Sequence, residues 1–359
     1  MNETFDLIHL LTVEKLTETK LLTLLEKFKT PAAIKNAPTG TVAELVGKNI
    51  ASMIASLKID DTVKRRYELV QRLNIRVVTY TSPWYPAWLR TVDHFPPVLF
   101  IRGEITAADE TAVGVIGTRG ATVYGKHIAE TFSETFARAR VTVVSGMARG
   151  VDTASHRGAL KAGGRTIAVL GCGVDRCYPP ENRKLMDEII MSGAVISEFA
   201  VGTPPRPQNF PKRNRIISAL SKAIVAIEAK EKSGVMNTVS WAVQQNKDVY
   251  AIPGNIYSRT STGTNRLIKE GAIPVTSAEE ILELMGITHQ AVALDEKQIS
   301  LTESEQTVWD HLTCEPIYLD VLSEKLDQPT GSILNVLLGL EIKGLVRQLP
   351  GMMFVKNFE

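Results

Sequence analysis

Cysteine is scarce in this chain of 359 residues, which holds only Cys172, Cys177 and Cys314. Three thiols cannot build an extracellular disulfide framework, and their spacing fits neither a zinc ribbon nor a C-x-x-C redox pair. A reducing compartment is expected, with no metal and no cofactor. Long apolar runs are also missing: nowhere do about 18 apolar residues pass without a charge. The opening MNETFDLIHLLTVEKL has neither a basic n-region nor a small-residue cleavage site, so the sequence reads as cytoplasmic and non-membrane. An excess of one charge is absent too, since 41 Lys and Arg face 39 Asp and Glu for a net +2. Such a chain does not coat duplex DNA through a general basic surface, so any nucleic-acid site must be local. There is no internal repeat or low-complexity tract. What remains is the profile of an ordinary globular protein, with 44% hydrophobic and 22% charged residues and length enough for two or three domains.

Residues 1–74 read as short helices forming a small N-terminal domain. LTETKLLTLLEKF is amphipathic, Pro31 suits a helix start, and Thr41 with Glu44 spells a capping box before AELVGKNIASMIASL. The segments RVVTYTS and PVLFIRGE look like strands around the turn YPAW. From Thr111 the pattern changes to short β-branched runs separated by helix-length segments: AVGVIG, VTVV, TIAVL, AVIS, AIVAIEA, DVYAI and IPV. Continuous rather than alternating hydrophobicity marks parallel strands covered on both faces. Between the first two, Ile128, Phe132 and Phe136 share one helical face. The expectation is an α/β domain over 75–286, a Rossmann-like, doubly wound and mostly parallel sheet. A polar linker over 287–300 leads to LTESEQTVWDHL, where Thr302 and Glu305 make a second capping box. Two more helices and a strand pair around Pro350 and Gly351 complete a winged-helix pattern over 301–359. Its third helix carries only Glu341 and Lys343 as charges, which favours a protein contact over sequence-specific duplex reading.

In an open α/β sheet, ligands bind beyond the carboxyl ends of the strands, where glycine turns and helix N-termini expose backbone N–H groups. Several turns fall there. In GVIGTRGATVYG the glycines are spaced G-x-x-G-x-x-G, missing the dinucleotide fingerprint G-x-G-x-x-G, and no acidic residue closes VTVV, so a nicotinamide oxidoreductase is disfavoured. Gly117 and Thr118 there, Gly146, Arg149 and Gly150 in SGMARGVDTASH, and Ser261, Gly263 and Asn265 in STGTNRLIKEGA are the candidate phosphate-cradling residues. For each turn the plain alternative is that glycine serves only the backbone and that Asp152, Ser233 or Thr264 is only an N-cap. His156 reads as helix surface rather than catalyst, because no nucleophile with a suitable partner is recognisable nearby. Cys172 and Cys177 read as buried small residues.

The segment FPKRNRIISALS concentrates charge. Between Phe199 and Ile227 there is no Asp or Glu, while Arg206, Lys212, Arg213, Arg215 and Lys222 all lie within it. Four prolines, at 204, 205, 207 and 211, suggest an extended, pre-organised loop. A charge run is usually a solvated face. Here Phe210 adds a stacking surface at the carboxyl side of the sheet, and cations interleaved with an aromatic suit single-stranded nucleic acid.

Taken in order, GVIGTRGATVYG, SGMARGVDTASH, GCGVDRCYPPEN, FPKRNRIISALS, EAKEKSGVMNT, and IPGN with STGTNRLIKEGA resemble the DNA-processing protein A family (DprA/Smf) over residues 75–285. The N-terminal helices are similar to its SAM-like or helix-hairpin-helix-like domain, and the tail to its winged helix. The resemblance implies an extended Rossmann fold, a homodimer, and binding of single-stranded DNA followed by loading of RecA during natural transformation, without catalysis. Carried onto this sequence, it implies DNA contacts at Arg119, at Phe210, Lys212, Arg213, Asn214 and Arg215, and at Lys232, Ser233 and Gly234. In that picture the three cations neutralise the backbone while Asn214 and Phe210 engage bases. A rival reading is a nucleotide-processing enzyme, because the related cytokinin-activating phosphoribohydrolases use G-G-x-G-T-x-x-E. Here the stretch is SGVMNTVSW, and Trp241 stands where their catalytic Glu would be.

Overall fold

Short amphipathic segments close the N-terminal unit as six helices: α1 (Glu3–Leu10), α2 (Glu18–Phe28), α3 (Pro31–Asn36), α4 (Thr39–Val46), α5 (Lys48–Ala55) and α6 (Asp61–Arg72). Side chains start three of them, with Thr17, Thr30 and Asp60 each accepting a first-turn backbone N–H. The capping box expected at Thr41 does not form. Helix α4 begins earlier, behind Pro38, and Gly47 at φ +92° divides the stretch read as one helix into two. Leu7, Leu10, Leu24, Leu25 and Ile34 fill the centre. The computed structural model describes residues 3–287, 301–313 and 315–356, so Cys314, the last three residues and all but Ile287 of the expected linker lie outside the described residues.

Two strands, β1 (Arg76–Thr79) and β2 (Val98–Gly103), pair antiparallel and open the large sheet. The α/β alternation then runs β3 (Ala112–Ile116), α7 (Val123–Arg138), β4 (Thr142–Ser145), α8 (Val151–Lys161), β5 (Thr166–Val169), α9 (Arg183–Ser192) and β6 (Ala194–Ser197). It continues as α10 (Asn209–Leu220), β7 (Ala223–Ala226), α11 (Gly234–Gln244), β8 (Asp248–Ala251), α12 (Thr262–Lys269), β9 (Ile273–Pro274) and α13 (Ala278–Leu284). The nine strands lie in the order β1-β2-β6-β5-β4-β3-β7-β8-β9. From β6 to β9 all neighbours are parallel, at the seven runs where unbroken hydrophobicity predicts strands.

Helices cover both faces. Phe132 and Phe136 of α7 pack with Val113 and Val115 on one side, and Ile216 and Ile217 of α10 with Ile116 and Ile224 on the other. Each such side chain, taken out of water, contributes roughly 1.5–3 kcal/mol. The chain steps from β3 outward through β4, β5 and β6, then returns to lay β7 beside β3 and step the other way. The crevice beyond the carboxyl ends of β3 and β7 is therefore the point where the winding reverses.

The C-terminal unit comprises α14 (Glu303–His311), β10 (Ile317–Tyr318), α15 (Leu319–Leu326), α16 (Thr330–Ile342), β11 (Val346–Leu349) and β12 (Met353–Lys356), a winged-helix arrangement. The capping box at Thr302 and Glu305 forms, with bonds of 2.7 and 3.3 Å. Lys343, at the end of α16, is held by Glu305 at 2.7 Å. Among the described residues no helix is long and apolar enough to cross a membrane.

Candidate nucleic-acid interface

A cleft of about 690 Å³ opens at this reversal, walled by the turn after β3, the turn after β4, the start of α10 and the start of α11. The first turn is fixed from behind by Glu228, which follows β7 and is buried. Its carboxylate accepts from Thr122 N at 2.9 Å, Thr122 Oγ1 at 2.7 Å and Thr260 Oγ1 at 3.1 Å. Glycines let the first two turns interlock. A Cβ on Gly117 would lie 2.3 Å from Val151, and Gly150, at φ +78°, has no room for one against the Thr118 carbonyl at 2.4 Å. The result is a rigid base from which the exposed Arg119 projects over the cleft.

The cationic segment is not the extended loop expected from its prolines. It is helix from Asn209, and Pro211 is accommodated because the first turn needs no N–H donors. Helical geometry points successive residues about 100° apart, so Lys212, Arg213 and Arg215 face three directions. Arg213 points into the protein. Its Nη1 donates to Gly146 O at 2.8 Å and to Val169 O, and its Nε donates to Asn214 Oδ1 at 3.2 Å. Burial lowers its pKa to about 10, against the pull of nearby Asp152. Burial also raises the Asp152 carboxyl, opposed by Arg213 and by the N–H groups of Gly146 and Ala148 that it accepts.

Arg215 is likewise buried, donating from Nη2 to Glu198 at 2.5 Å and to Glu18 of α2 at 2.7 Å. Both arginines, expected to meet phosphates, are thus held by internal partners, Arg213 while also lining the cleft and Arg215 away from it. Only Lys212 of the three is exposed, and it pairs with Glu18 and stands 3.9 Å from Glu198. Asn214 lines the cleft but is turned toward α11, donating to Asn237 Oδ1 at 3.3 Å and Gly234 O at 3.4 Å.

An aromatic and cationic platform forms the rim. The Phe210 ring lies 5.5 Å from that of Tyr178, and the Arg119 guanidinium sits 5.2 Å from the Phe210 centroid. The N-terminus of α11 lines the same cleft. Ser233 occupies the cap position without making a cap bond, and its buried Oγ has no hydrogen-bond partner. Around Gly234 a Cβ would meet nothing within 4 Å, so the first turn of α11 is open to an incoming group. The dipole and free N–H groups of such a terminus favour an anion. Lys232, just ahead, is exposed and makes no ion pair among the described residues.

Other expected residues have structural work. The N–H of Gly146 is taken by Asp152, which lies inside the first turn of α8 rather than at its cap; Gly150 holds that place. Arg149 is exposed but paired with Glu181, outside this cleft. Ser261, Gly263 and Asn265 bind the loops after β7 and β8 together: Gly263 N donates to Ala229 O at 2.8 Å, and the Asn265 amide bonds both N and O of Gly254. None of the three lines the cleft. Thr264 is not a cap either, since Ser261 precedes α12. His156 is fully buried, not on a helix surface, and burial pushes it down to about 3. Cys172 is buried as expected, while Cys177 is only partly so. Trp241 stands outside the cleft, its ring 6.0 Å from that of His94.

The residue readings missed Tyr178, whose signal was an aromatic ahead of two prolines in a stretch read for its cysteines. They also missed Glu228 and Glu18, which bear on the site from far along the chain and leave no local pattern. Among the described residues no group of three or more His, Cys, Asp or Glu could hold a metal ion.

Comparison with known proteins agrees with this fold. The family model described as DNA recombination-mediator protein A matches residues 76–286, and the DprA winged helix domain matches residues 292–352. Protein Smf of Escherichia coli is 36% identical over 79% of this chain and 78% of its own. The X-ray structure of DNA processing protein A from Streptococcus pneumoniae superposes with a TM-score of 0.70 at 31% identity, covering 79% of this chain and 98% of that one. The Helicobacter pylori DNA processing protein A, whose structure was described for its single-stranded DNA binding mode, gives a TM-score of 0.55 at 28% identity over 60% of this chain and 98% of its own. The chain belongs to the DNA recombination-mediator protein A family, the DprA/Smf proteins.

Proposed function

We propose that the cleft binds single-stranded DNA, and that the protein is a recombination mediator that protects incoming strands and loads RecA onto them during natural transformation, acting as a homodimer without catalysis. One observation carries the DNA reading: one cleft is lined both by a stacking surface, Phe210 with Tyr178, and by the open N-terminus of α11 at Ser233. Bases can stack on the first while a phosphate meets the second. A duplex hides the faces of its bases, so this arrangement favours a single strand. In this reading Arg119 at the cleft and the exposed Lys212 and Lys232 beside it meet the backbone, while Arg213, Asn214 and Arg215 act by positioning α10 and α11. Support for RecA loading and for the homodimer is family membership.

Fluorescence anisotropy with labelled single-stranded and duplex DNA of equal length, across a salt series, tests the reading. Phe210→Ala weakens single-strand binding by roughly 1–3 kcal/mol if the ring stacks on a base. Arg119→Ala flattens the salt slope by about 0.7. Unchanged affinity and slope in both variants would remove this cleft from the DNA path. The RecA step is read separately, as the rate of RecA filament growth on single-stranded DNA with and without the protein.

A further inference from the structure

A second basic cleft lies on the other side of Arg119. Its walls are the N-terminal ends of α7 and α8 together with Arg347 of β11, and its lining includes Arg119, Lys126, Arg149 and Arg157 with the acids Glu130 and Glu181. The two helices are pinched together just behind it, where Gly158 has no space for a Cβ against the Glu130 carbonyl at 2.1 Å. Lys126, one turn before Glu130 on α7, and Arg157 of α8 are both exposed and line the opening.

The acids of this cleft are already engaged. Glu181 pairs with Arg149, and Glu130 faces Lys161 at 3.8 Å. Lys126 and Arg157 are exposed and make no ion pair among the described residues. His127 also lines the wall, but burial and the charge of Lys161 lower its pKa, which keeps it neutral near pH 7. No phenylalanine, tyrosine or tryptophan lines this cleft, in contrast to the first. Cations without a stacking surface suit the phosphate backbone better than base stacking. Arg119 is common to both linings, and its turn is clasped to the start of α8 through Gly150, so the two clefts share one fixed wall.

We propose that the DNA strand leaves the first cleft over Arg119 and runs into this second one, where Lys126 and Arg157 hold the sugar-phosphate backbone of the following nucleotides without regard to sequence. The inference rests on the single-strand reading of the first cleft. Two oligothymidylates separate the readings: one of about five nucleotides, enough for a single cleft, and one of about twenty.

For the double variant Lys126→Ala/Arg157→Ala, the long oligomer loses about 1.4 in salt slope, since each phosphate contact removed costs about 0.7. The short oligomer binds as before. Arg119→Ala weakens both. Equal binding of the long oligomer by wild type and the double variant overturns the second cleft while leaving the first intact, and equal losses on both oligomers overturn the division of labour. Wild type that binds neither would overturn the single-strand reading itself, and this inference with it. Both substituted residues are exposed, so the thermal midpoint of the double variant should match wild type.

Discussion

Arg213 and Lys212 are adjacent cations with opposite fates, and substitution should tell them apart. Arg213 sits fully buried between two backbone carbonyls and Asp152. Removing one partner of a buried charge pair leaves the other uncompensated, so Arg213→Met should lower unfolding stability by about 3–5 kcal/mol in a denaturant titration. Lys212→Ala, on an exposed ion pair, should leave the midpoint nearly unchanged. A stable Arg213→Met protein that merely fails to bind DNA would show that the guanidinium reaches the strand directly.

His156 gives a second residue-level prediction. The Thr166 hydroxyl donates to Val143 O at 2.8 Å, so it accepts from His156 Nδ1 at 2.7 Å, leaving Nε2 as an unpartnered acceptor near the Arg213 charge. With the folded value pushed down to about 3 from an ordinary 6.5, the unfolded chain takes up the proton first. Stability from this group is therefore present above pH 6.5 and lost as pH falls toward 3, by at most about 1.4 kcal/mol per pH unit. His156→Gln should flatten that slope; an unaltered slope would assign the loss to other groups. Residue types in the sequence were legible, but their burial was not: Lys212 and Arg215 share Glu18, nearly two hundred positions away, in addition to the nearby Glu198 that pairs with Arg215.

Among elements, α10 is held from two sides. The sheet takes its apolar face and α2 takes its cations through Glu18, a contact between the N-terminal helices and the helix that builds the cleft. Glu18 is thereby a competitor of DNA phosphate for Lys212. Glu18→Gln should tighten single-strand binding at low salt by up to about fivefold, an exposed ion pair being worth up to ~1 kcal/mol, and the gain should vanish at high salt. Weaker binding instead would mean that Glu18 supports the shape of α10 more than it competes. The strands were legible because buried parallel strands are unbroken β-branched runs. The helical start of α10 was not, because three prolines precede it and a fourth lies in its first turn, where proline is as much a helix opener as a loop residue. Thr41 misled for a related reason: Pro38 had already started the helix.

For the whole molecule, the reversal of winding at β3 has a consequence for synthesis. The strands β3 and β7 that flank the cleft pair at Val113 and Ala223, more than a hundred residues apart. Contacts so distant form late, because the intervening chain must be ordered first. As the chain emerges, the turn carrying Arg119 appears early, followed by β4, β5 and β6, which extend the sheet away from the cleft. Its opposite wall is missing until β7 and the start of α11 have been made and docked. A nascent chain halted before Ser233 therefore presents half a cleft, and the ability to hold a strand arrives in one step with the closing of the sheet.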